Sequence, residues 1–544
     1  MQVNWCKNCQ SPIINQSICQ CGEETKYLAT DIRPVFTEER YLLYYITKND
    51  SFLDGNVWAS KSFKYYLNGK PFSLGKKDLS IDINHEYVKN EAYRYTLNES
   101  DFDQEIRRFV YNNRSYLQEK EFAAFWFIED TIKKYAEPLA IVSFSGGKDS
   151  TLVSHLTCRA LSNPSIIHLF GDTTLEFPLT YNYLSRFRKA NPRIPFLVSK
   201  SEHGFFDLCQ TLGPPSRVMS WCCTVFKTGP MNGIINSLAK EKTLLNFYGI
   251  RGSESFSRSE YQKTEFSDFL NLHKISSAKI SPKIYKQIVS SPIFDWKDAD
   301  VWLYIFAHKL DFNDSYRLGY TRVGCWCCPN NSEWSSFLTS IYMPNENAKW
   351  NNFLIDFARR IGKPDPDVYI KTGKWKARQG GAGLISKQIN LEAKPCIGEE
   401  FSRTIVLTKP ISEELYEYFK PFGNISKELG RKILNETIVV DRDTNQPLLM
   451  LQGKERSYNL KITAVNPSNY HLLTQRIDCQ LKKYQSCIGC LGCVSVCPEG
   501  AITYVNNYYR ILEHKCKSCL NCINPWNRGG CLMTKILAVK KGES

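Results

Sequence analysis

The chain has 544 residues, which is too long for one hydrophobic core and predicts three or four domains. No apolar run reaches the roughly 20 residues of a bilayer span and the N-terminus does not resemble a signal peptide, so we expect a soluble, cytoplasmic protein without a membrane partner. The formal charge of +15 suits an anionic partner: a nucleotide, a nucleic acid or an acidic electron donor. The 21 cysteines fall mostly in clusters, which favours metal binding over disulfides.

The first cysteine cluster lies in residues 1–24. Cys6 and Cys9 have two residues between them, and Cys19 and Cys21 have one. Two such turns can present four thiolates tetrahedrally, so we expect a zinc ribbon. Four unrelated surface cysteines are the alternative.

The next two segments carry no catalytic motif. Residues 25–95 contain short β-like runs with Asp-Gly and Asn-Gly turns, which predict a small, mostly β accessory module. This module faintly resembles RNA-binding accessory domains of modification enzymes, and a docking module is the alternative. Residues 96–138 place charged and aromatic residues at helical spacing, which predicts a helical connector whose aromatic side chains lie in the core.

Strands and helices alternate from residue 139 to about residue 335. This pattern predicts an α/β fold with a doubly wound parallel sheet. Ligands of such sheets bind beyond the carboxyl ends of the strands. The stretches "SFSGGKDS", "GDTTLEFP" and "GIRGSESFSR" each follow a predicted strand, so we expect them to face one crevice.

The stretch "SFSGGKDSTL" predicts a glycine turn that opens a helix. Adjacent glycines let the backbone approach a ligand, and helix N–H groups with Lys148 bind an anion such as phosphate or sulfate. The spacing differs from the Walker pattern, which disfavours an ordinary kinase or GTPase. We expect Lys148 at an exposed turn. The stretch resembles the PP-loop of the adenine nucleotide alpha-hydrolase superfamily.

Six motifs in order extend this resemblance: "SFSGGKDS", "LFGDTTLEFPLTY", "WCCTVFKTGP", "GIRGSESFSR", "SPIFDWKDADVWLYI" and "GYTRVGCWCCP". Together they resemble the phosphoadenosine phosphosulfate (PAPS) reductase family. The resemblance implies an adenine nucleotide ligand, which is PAPS, adenosine 5'-phosphosulfate (APS) or ATP. It assigns nucleotide binding to Ser145, Gly146, Gly147, Lys148, Asp149, Ser150, Asp172 and Glu176. It assigns the reaction to Lys148, Asp149, Arg251 and Arg258. Arginine suits phosphate and sulfate oxygens, although two surface arginines are the alternative.

Paired cysteines in the same region imply a cofactor. Cys222, Cys223, Cys325 and Cys328 resemble the tandem-cysteine 4Fe-4S site of APS reductases and of the DNA phosphorothioation member of the family. Four thiolates can hold either such a cluster or zinc. Cys327 is left over and is expected to pack beside the cluster.

The chain also departs from the family pattern. Assimilatory reductases carry a late catalytic cysteine in a Glu-Cys-Gly-Leu/Ile-His setting, and this sequence has none. Cys396 is a candidate nucleophile without those neighbours, and Cys479 is the other late cysteine outside the cluster motifs. The usual thiol mechanism is therefore in doubt.

Residues 479–544 resemble a bacterial two-cluster ferredoxin. In that arrangement the fourth cysteine of each run binds the other cluster. The resemblance implies one 4Fe-4S cluster on Cys487, Cys490, Cys493 and Cys531, and a second on Cys516, Cys519, Cys522 and Cys497. The second run departs from the usual gap before its fourth cysteine and lacks the following proline. Zinc throughout the tail is the alternative.

Two segments separate the reductase-like region from this tail. Residues 336–400 are predicted to be a helical, basic extension, in which Lys371, Lys374, Lys376 and Arg378 either close over an anion or form a solvated loop. Residues 401–478 are predicted to be a small α/β domain that orients the ferredoxin.

Two enzymatic functions follow, together with a non-enzymatic alternative. The first is a PAPS or APS reductase-type oxidoreductase that takes electrons from an external donor through its ferredoxin domain. The second is an ATP-pyrophosphatase-type sulfurtransferase that thiolates tRNA or DNA. The third is a regulatory or scaffold protein whose active site is no longer catalytic. The expected cofactors are three 4Fe-4S clusters, zinc and the adenine nucleotide.

Overall fold

The computed structural model describes residues 1–60, 63–75, 78–79, 86, 88, 90–91, 100–135, 137–217, 220–239, 242–254, 264–267, 287–377, 391–494, 497, 499–505, 508–523, 531 and 533. The chain forms two compact units. Unit 1 comprises Met1–Val198, Lys242–Glu265 and Ile288–Phe353, and unit 2 comprises Ser199–Glu241, Phe266–Gln287 and Leu354–Ser544. Within the described ranges, no helix combines the length and the hydropathy that a membrane span requires.

Unit 1 begins with two small antiparallel sheets. The first has the order β2-β1-β3 and contains β1 (Val3–Cys6), β2 (Ser11–Ile14) and β3 (Lys26–Ala29). The second follows chain order and contains β4 (Arg33–Pro34), β5 (Val57–Ala59), β6 (Lys64–Leu67) and β7 (Lys70–Ser73). Helices Thr37–Thr47 and Ser51–Asp54 connect β4 to β5.

Two helices, Ser100–Asn112 and Arg114–Lys133, follow these sheets. Asn113 between them donates to the Pro12 carbonyl at 2.9 Å, which ties the helices to the first sheet. The expectation that the aromatic residues lie in the core is wrong for Phe122 and Trp126, which are 73% and 63% exposed. The second helix buries only the face that carries Leu117, Ala124 and Ile128, and the two rings lie outside that face.

A six-stranded sheet forms the centre of the α/β region, in the order β10-β9-β8-β11-β13-β12. Its strands are β8 (Leu139–Ser143), β9 (Ile167–Asp172), β10 (Phe196–Lys200), β11 (Leu244–Phe247), β12 (Thr264–Ser267) and β13 (Gln287–Ser290). Strand β8 is parallel to both β9 and β11. Helices Lys148–Ala160 and Pro178–Ala190 make the crossovers, and the predicted α/β fold with a parallel sheet is confirmed.

The rest of unit 1 packs against this region. It contains helix Asp298–Ala307, a 3-10 turn Asp314–Tyr316, helix Glu333–Tyr342 and the start of helix Pro344–Arg360. Trp302 and Tyr304 are buried in a core that also includes Val3 and Phe109. The N-terminal sheets and the α/β region therefore share one hydrophobic core.

Unit 2 contains the tandem cysteines and the C-terminal part of the chain from Leu354. Its first helical elements are Phe205–Leu212, Trp221–Cys223, a π-helical turn Thr224–Thr228 and Gly229–Leu238. Helix Pro366–Lys371 and the 3-10 turn Lys374–Ala377 come later in the chain.

A second six-stranded sheet follows in unit 2, in the order β14-β15-β19-β18-β17-β16 and antiparallel throughout. It contains β14 (Glu392–Pro395), β15 (Ser402–Val406), β16 (Asn424–Ser426), β17 (Glu436–Val440), β18 (Pro447–Gln452) and β19 (Asn459–Ala464). Helix Tyr470–Ser486 leads into the C-terminal cysteines and the hairpin of β20 (Ile502–Val505) and β21 (Tyr508–Ile511). Sheet, helix and hairpin share a core.

Candidate active site and metal centres

The glycine turn after β8 has the predicted form. Gly146 has φ +72°, a conformation that favours glycine, and a Cβ at this position would lie 3.0 Å from Thr180. Asn313 donates to the Gly146 carbonyl at 3.1 Å. Ser150 Oγ donates to the Gly147 carbonyl at 2.9 Å. The turn is therefore held by its own helix and by a distant segment.

Lys148 does not lie at an exposed turn, and that expectation is wrong: its side chain is 4% exposed. Its Nζ lies 3.0 Å from Asp149 and 3.2 Å from Asp298. Arg251 completes the network, with Nε 2.6 Å from Asp149 and Nη2 2.8 Å from Asp298. The buried ammonium is thus neutralised by carboxylates, because an unpaired charge in this position would be costly.

The network keeps all four groups charged. Burial favours the neutral forms, but Arg251 and Lys148 outweigh it and hold the pKa of Asp149 below its usual value. For Lys148, burial is likewise outweighed by Asp149 and Asp298, and its pKa is raised. Two cations and two carboxylates therefore lie together, and an incoming anion can exchange with the carboxylates.

These residues line a cavity of about 550 Å³ in unit 1. The N-terminal module supplies part of its wall, including Asp31, Arg33 and Tyr65. Asp31 accepts hydrogen bonds from the backbone N–H groups of Asp298 at 3.2 Å and Ala299 at 3.1 Å. Burial and the Asp298 charge raise the pKa of Asp31 to about 6. The accessory module is therefore part of the cavity that contains Lys148.

Asp172 and Glu176 lie at the end of β9. Asp172 accepts from Tyr181 at 2.8 Å and lines a different cavity of about 600 Å³. Glu176 accepts from Thr173 at 2.9 Å, and Thr173 Oγ1 lies 3.4 Å from the sulfur of Cys325. The structure thus brings Cys325 beside the predicted nucleotide segment.

The other cysteines and arginines predicted to belong to the site lie in unit 1, in unit 2 or outside the described residues. Cys325 and Cys328 lie in unit 1, and Cys222 and Cys223 lie in unit 2. Cys327 is buried. Cys396 lies in unit 2 with its sulfur 3.5 Å from Thr404 Oγ1. Arg258 and Arg378 lie outside the described residues.

The N-terminal cysteines form a compact group. Sulfur separations are 3.6 Å for Cys6 and Cys21 and 3.7 Å for Cys9 and Cys19, and all four sulfurs lie within 4.8 Å of one another. Zn–S bonds of about 2.3 Å in a tetrahedron place sulfurs about 3.8 Å apart. The four donors therefore fit one tetrahedral metal ion.

The C-terminal cysteines line two separate cavities. Cys487, Cys490, Cys493 and Cys531 surround the first, which we call cavity A. Cys497, Cys516, Cys519 and Cys522 surround the second, cavity B. In each cavity the fourth cysteine of one run meets the first three of the other. Such four-thiolate sets fit 4Fe-4S clusters, which supply one-electron transfer when bound.

The loop of cavity A contacts the helix that follows the tandem cysteines. A Cβ on Gly229 would lie 3.1 Å from the Cys490 carbonyl and 3.2 Å from Leu491 Cβ. His203 Nε2 lies 3.3 Å from the Gly489 carbonyl. Thr228, next to Gly229, donates to the Cys223 carbonyl at 3.3 Å. A short chain of contacts therefore joins Cys490 to Cys223 within unit 2.

Two known protein families match separate regions of the chain. The family described as "Phosphoadenosine phosphosulfate reductase domain" matches residues 139–331, and a "4Fe-4S binding domain" matches residues 483–503. Residues 139–331 are a PAPS reductase domain. The chain as a whole combines this domain with a 4Fe-4S binding domain.

Proteins similar to part of this chain include an uncharacterized protein and one named as a reductase. An uncharacterized protein of Methanocaldococcus jannaschii is 30% identical over 320 residues, 59% of this chain and 60% of that relative. The chain thus spans about 60% of that relative's length. An adenosine 5'-phosphosulfate reductase of Bacillus cereus is 26% identical over 220 residues, 40% of this chain and 84% of the relative.

Two solved structures align with parts of the chain. One is the PAPS reductase of Candida auris in a phosphate complex, with TM-score 0.28 and 16% identity over 40% of this chain and 94% of that one. The other is a U34-tRNA thiolase of Methanococcus maripaludis with its [4Fe-4S] cluster, with TM-score 0.27 and 13% identity over 48% and 79%.

Sequence reasoning missed two carboxylates of the PAPS reductase domain cavity. Asp298 lies in the motif "SPIFDWKDADVWLYI". The motif therefore marked this segment as part of the domain, but it did not predict a role for Asp298. Asp31 lies outside the PAPS reductase domain and has no local signal. Its position at the cavity follows only from its hydrogen bonds to Asp298 and Ala299.

Proposed function

We propose that the protein is an iron-sulfur oxidoreductase that reduces an adenylyl-activated sulfur compound with electrons from its own C-terminal domain. An external low-potential donor supplies two electrons. Both are accepted by the sulfur of an adenylyl sulfate, the bond between that sulfur and the bridging oxygen breaks, and the oxygen remains on the nucleotide. The products are sulfite and an adenine nucleotide.

One observation carries this proposal: the loop with Cys490 packs against Gly229, in the helix after Cys222 and Cys223. Electron transfer needs close approach between donor and acceptor. A four-thiolate cavity that contacts the tandem-cysteine segment supports delivery of electrons to that segment. Cys222, Cys223, Cys325 and Cys328 as ligands of one further 4Fe-4S cluster stay a prediction from the sequence.

The proposed roles of the cavity residues follow from their charges. Lys148 and Arg251 would bind the phosphate and sulfate oxygens, and the backbone of Ser145, Gly146 and Gly147 would cradle the anion with Ser150. Asp149 and Asp298 orient the two cations before the anion arrives. Contacts of Asp172 and Glu176 with the ribose and adenine, and of Arg258 with the anion, stay predictions.

The proposed cofactors follow from the donor sets. Cavities A and B would each hold one 4Fe-4S cluster, and the N-terminal cysteines would hold zinc. Cys396 has no role in this proposal. With electrons supplied within the chain, sulfur reduction needs no thiol nucleophile of the assimilatory type.

A second candidate is an ATP-dependent sulfurtransferase for tRNA or DNA. The charge balance of the cavity favours it, because Asp149 and Asp298 offset the charges of Lys148 and Arg251. Mg²⁺ is bound by one or two carboxylates together with substrate phosphates, so this cavity suits Mg-ATP as well as an adenylyl sulfate. The N-terminal module in the cavity wall would then face the nucleic-acid acceptor.

Ligand protection separates the two candidates. A ligand that binds only the folded protein raises its melting temperature. We expect APS or PAPS to protect the anaerobically purified chain more strongly than Mg-ATP at equal concentration. Stronger protection by Mg-ATP, with none by either adenylyl sulfate, would reject the reductase in favour of the sulfurtransferase.

A further inference from the structure

Lys483 is a buried lysine in the last turns of helix Tyr470–Ser486, close to the start of the first C-terminal cysteine run. The residue is 2% exposed. Its Nζ donates to the Tyr509 hydroxyl at 3.0 Å and lies 4.4 Å from the centre of the Tyr509 ring. The centre of the Tyr418 ring lies 5.9 Å from the same Nζ.

Among the residues that the structure describes, no carboxylate forms an ion pair with Lys483. Glu414 and Glu417 pair instead with Lys409 and Lys420. A buried ammonium is stable only when other groups compensate its charge. A hydroxyl and two aromatic faces supply part of this stabilisation. As thiolates of a bound cluster, the sulfurs that line cavity A would supply negative charge.

Lys483 lies beside one of the two cysteine-lined cavities. Lys483 itself lines cavity A together with Cys487, Cys490, Cys493 and Cys531. Lys483 is not among the described residues that line cavity B. The lysine therefore lies at cavity A.

We propose that Lys483 is a positioning residue that raises the reduction potential of the 4Fe-4S cluster in cavity A above that in cavity B. This inference rests on the proposed occupancy of both cavities. Reduction adds one negative charge to a cluster, and a buried ammonium stabilises that charge strongly because the surroundings screen it poorly. The electron comes from the external donor, and the lysine stays protonated throughout.

Electron transfer within the C-terminal domain would then have a preferred direction. Electrons entering at cavity B would move to the higher potential in cavity A. The loop of cavity A is the one that contacts Gly229 beside the tandem cysteines. Lys483 would thus hold the electron at the end of the domain from which it is delivered.

The test is a potentiometric titration of the full-length, cluster-loaded chain monitored by EPR, without substrate. Lys483→Met removes the charge and keeps much of the side-chain volume, and Lys483→Arg keeps the charge. Lys482→Met is the matched control, since Lys482 is the exposed neighbour on the same helix. Cys519→Ser, which removes a ligand of cavity B, assigns the signals to the two clusters.

We expect Lys483→Met to shift the cavity A signal to lower potential, with a smaller shift for cavity B. Lys483→Arg and Lys482→Met should stay close to the wild type. If Lys483→Met loses iron, Lys483→Gln is titrated in its place. A neutral variant that shifts cavity A no more than Lys482→Met does would overturn the proposal. Because no turnover is measured, a failed reductase assay leaves this result intact.

Discussion

The ammonium of Lys148 lies 3.2 Å from the carboxylate of Asp298, the first residue of helix Asp298–Ala307. This contact places a carboxylate where an anionic substrate would be expected to bind. Asp298 therefore holds the ammonium in place, and an anion that binds there would have to share Lys148 with it. Helix Asp298–Ala307 contributes Asp298 to the cavity that contains Lys148.

Lys148→Met should weaken the binding of adenine nucleotides by about 10- to 150-fold, because a hydrogen bond to a charged group contributes about 1.5–3 kcal/mol. Calorimetry with APS, PAPS and ATP measures this loss. Lys133→Met, at an exposed position, is the control. Unchanged affinity for all three nucleotides would show that Lys148 does not contribute to their binding.

The same substitution should also lower the free energy of unfolding, by about 1–3 kcal/mol. It leaves Asp149 and Asp298 with Arg251 as their remaining close cation in the network. Urea unfolding of Lys148→Met and Lys133→Met tests this. Equal midpoints would show that the carboxylates do not depend on the lysine.

Asp31 should make stability fall as the pH rises. Its pKa is raised to about 6 in the folded protein from 3.8, first by burial and then by Asp298. The folded state therefore holds the proton more tightly between these values, and the stabilisation, about 3 kcal/mol in full, is present below pH 3.8 and is lost by about pH 6. Between pH 4.5 and pH 7, about 2 kcal/mol of this stabilisation should be lost in the wild type and in the exposed control Asp103→Asn, but not in Asp31→Asn.

Gly229 and Gly233 form a matched pair for the contact between the loop of cavity A and helix Gly229–Leu238, which follows the tandem cysteines. A Cβ on Gly229 would lie 2.9 Å from the Thr224 carbonyl and 3.1 Å from the Cys490 carbonyl, whereas one on Gly233 meets nothing within 4 Å. Alanine at position 233 should stabilise the helix by about 1 kcal/mol. Alanine at position 229 should instead destabilise the protein and slow turnover at unchanged iron content. Equal effects of the two substitutions would argue against the contact.

The N-terminal cysteines should bind zinc, and the other three sets of four cysteines should bind iron. We expect one zinc and about twelve irons per chain after anaerobic purification, from three clusters of four irons. Cys9→Ser should lose the zinc and keep the iron, and Cys490→Ser should lose about four irons and keep the zinc. Elemental analysis measures both. Zinc in all the sites would contradict the redox function.

Local patterns made much of this molecule predictable. The glycine turn at Gly146 and Gly147 is encoded within a few residues, and the apolar strands such as Ile167–Asp172 mark the parallel sheet. Asp149 and Arg251 meet because each follows the carboxyl end of a strand in that sheet, β8 and β11. The apolar runs of the strands and the paired glycines of the turn were sufficient to predict these features from the sequence.

Contacts between distant segments were not predictable in the same way. Asp31 reaches Asp298 only after the N-terminal module packs on the α/β region, and no short motif encodes that packing. The burial of Lys148 was missed for the same reason, since Asp298 and Tyr316 enclose it from other elements. The contact of Gly229 with Cys490 likewise joins segments far apart in sequence.

The central claim is that electrons from the C-terminal domain reduce an adenylyl sulfate, and its most direct test is product formation by the reduced, cluster-loaded protein. The chain is reduced with dithionite, freed of excess reductant and mixed with APS or PAPS in the absence of nucleic acid. We expect one sulfite and one adenine nucleotide for every two electrons consumed, and no sulfite from Cys222→Ser/Cys223→Ser, although its C-terminal clusters remain reducible. Pyrophosphate release from ATP that depends on added tRNA or DNA, with no sulfite from either adenylyl sulfate, would contradict the claim.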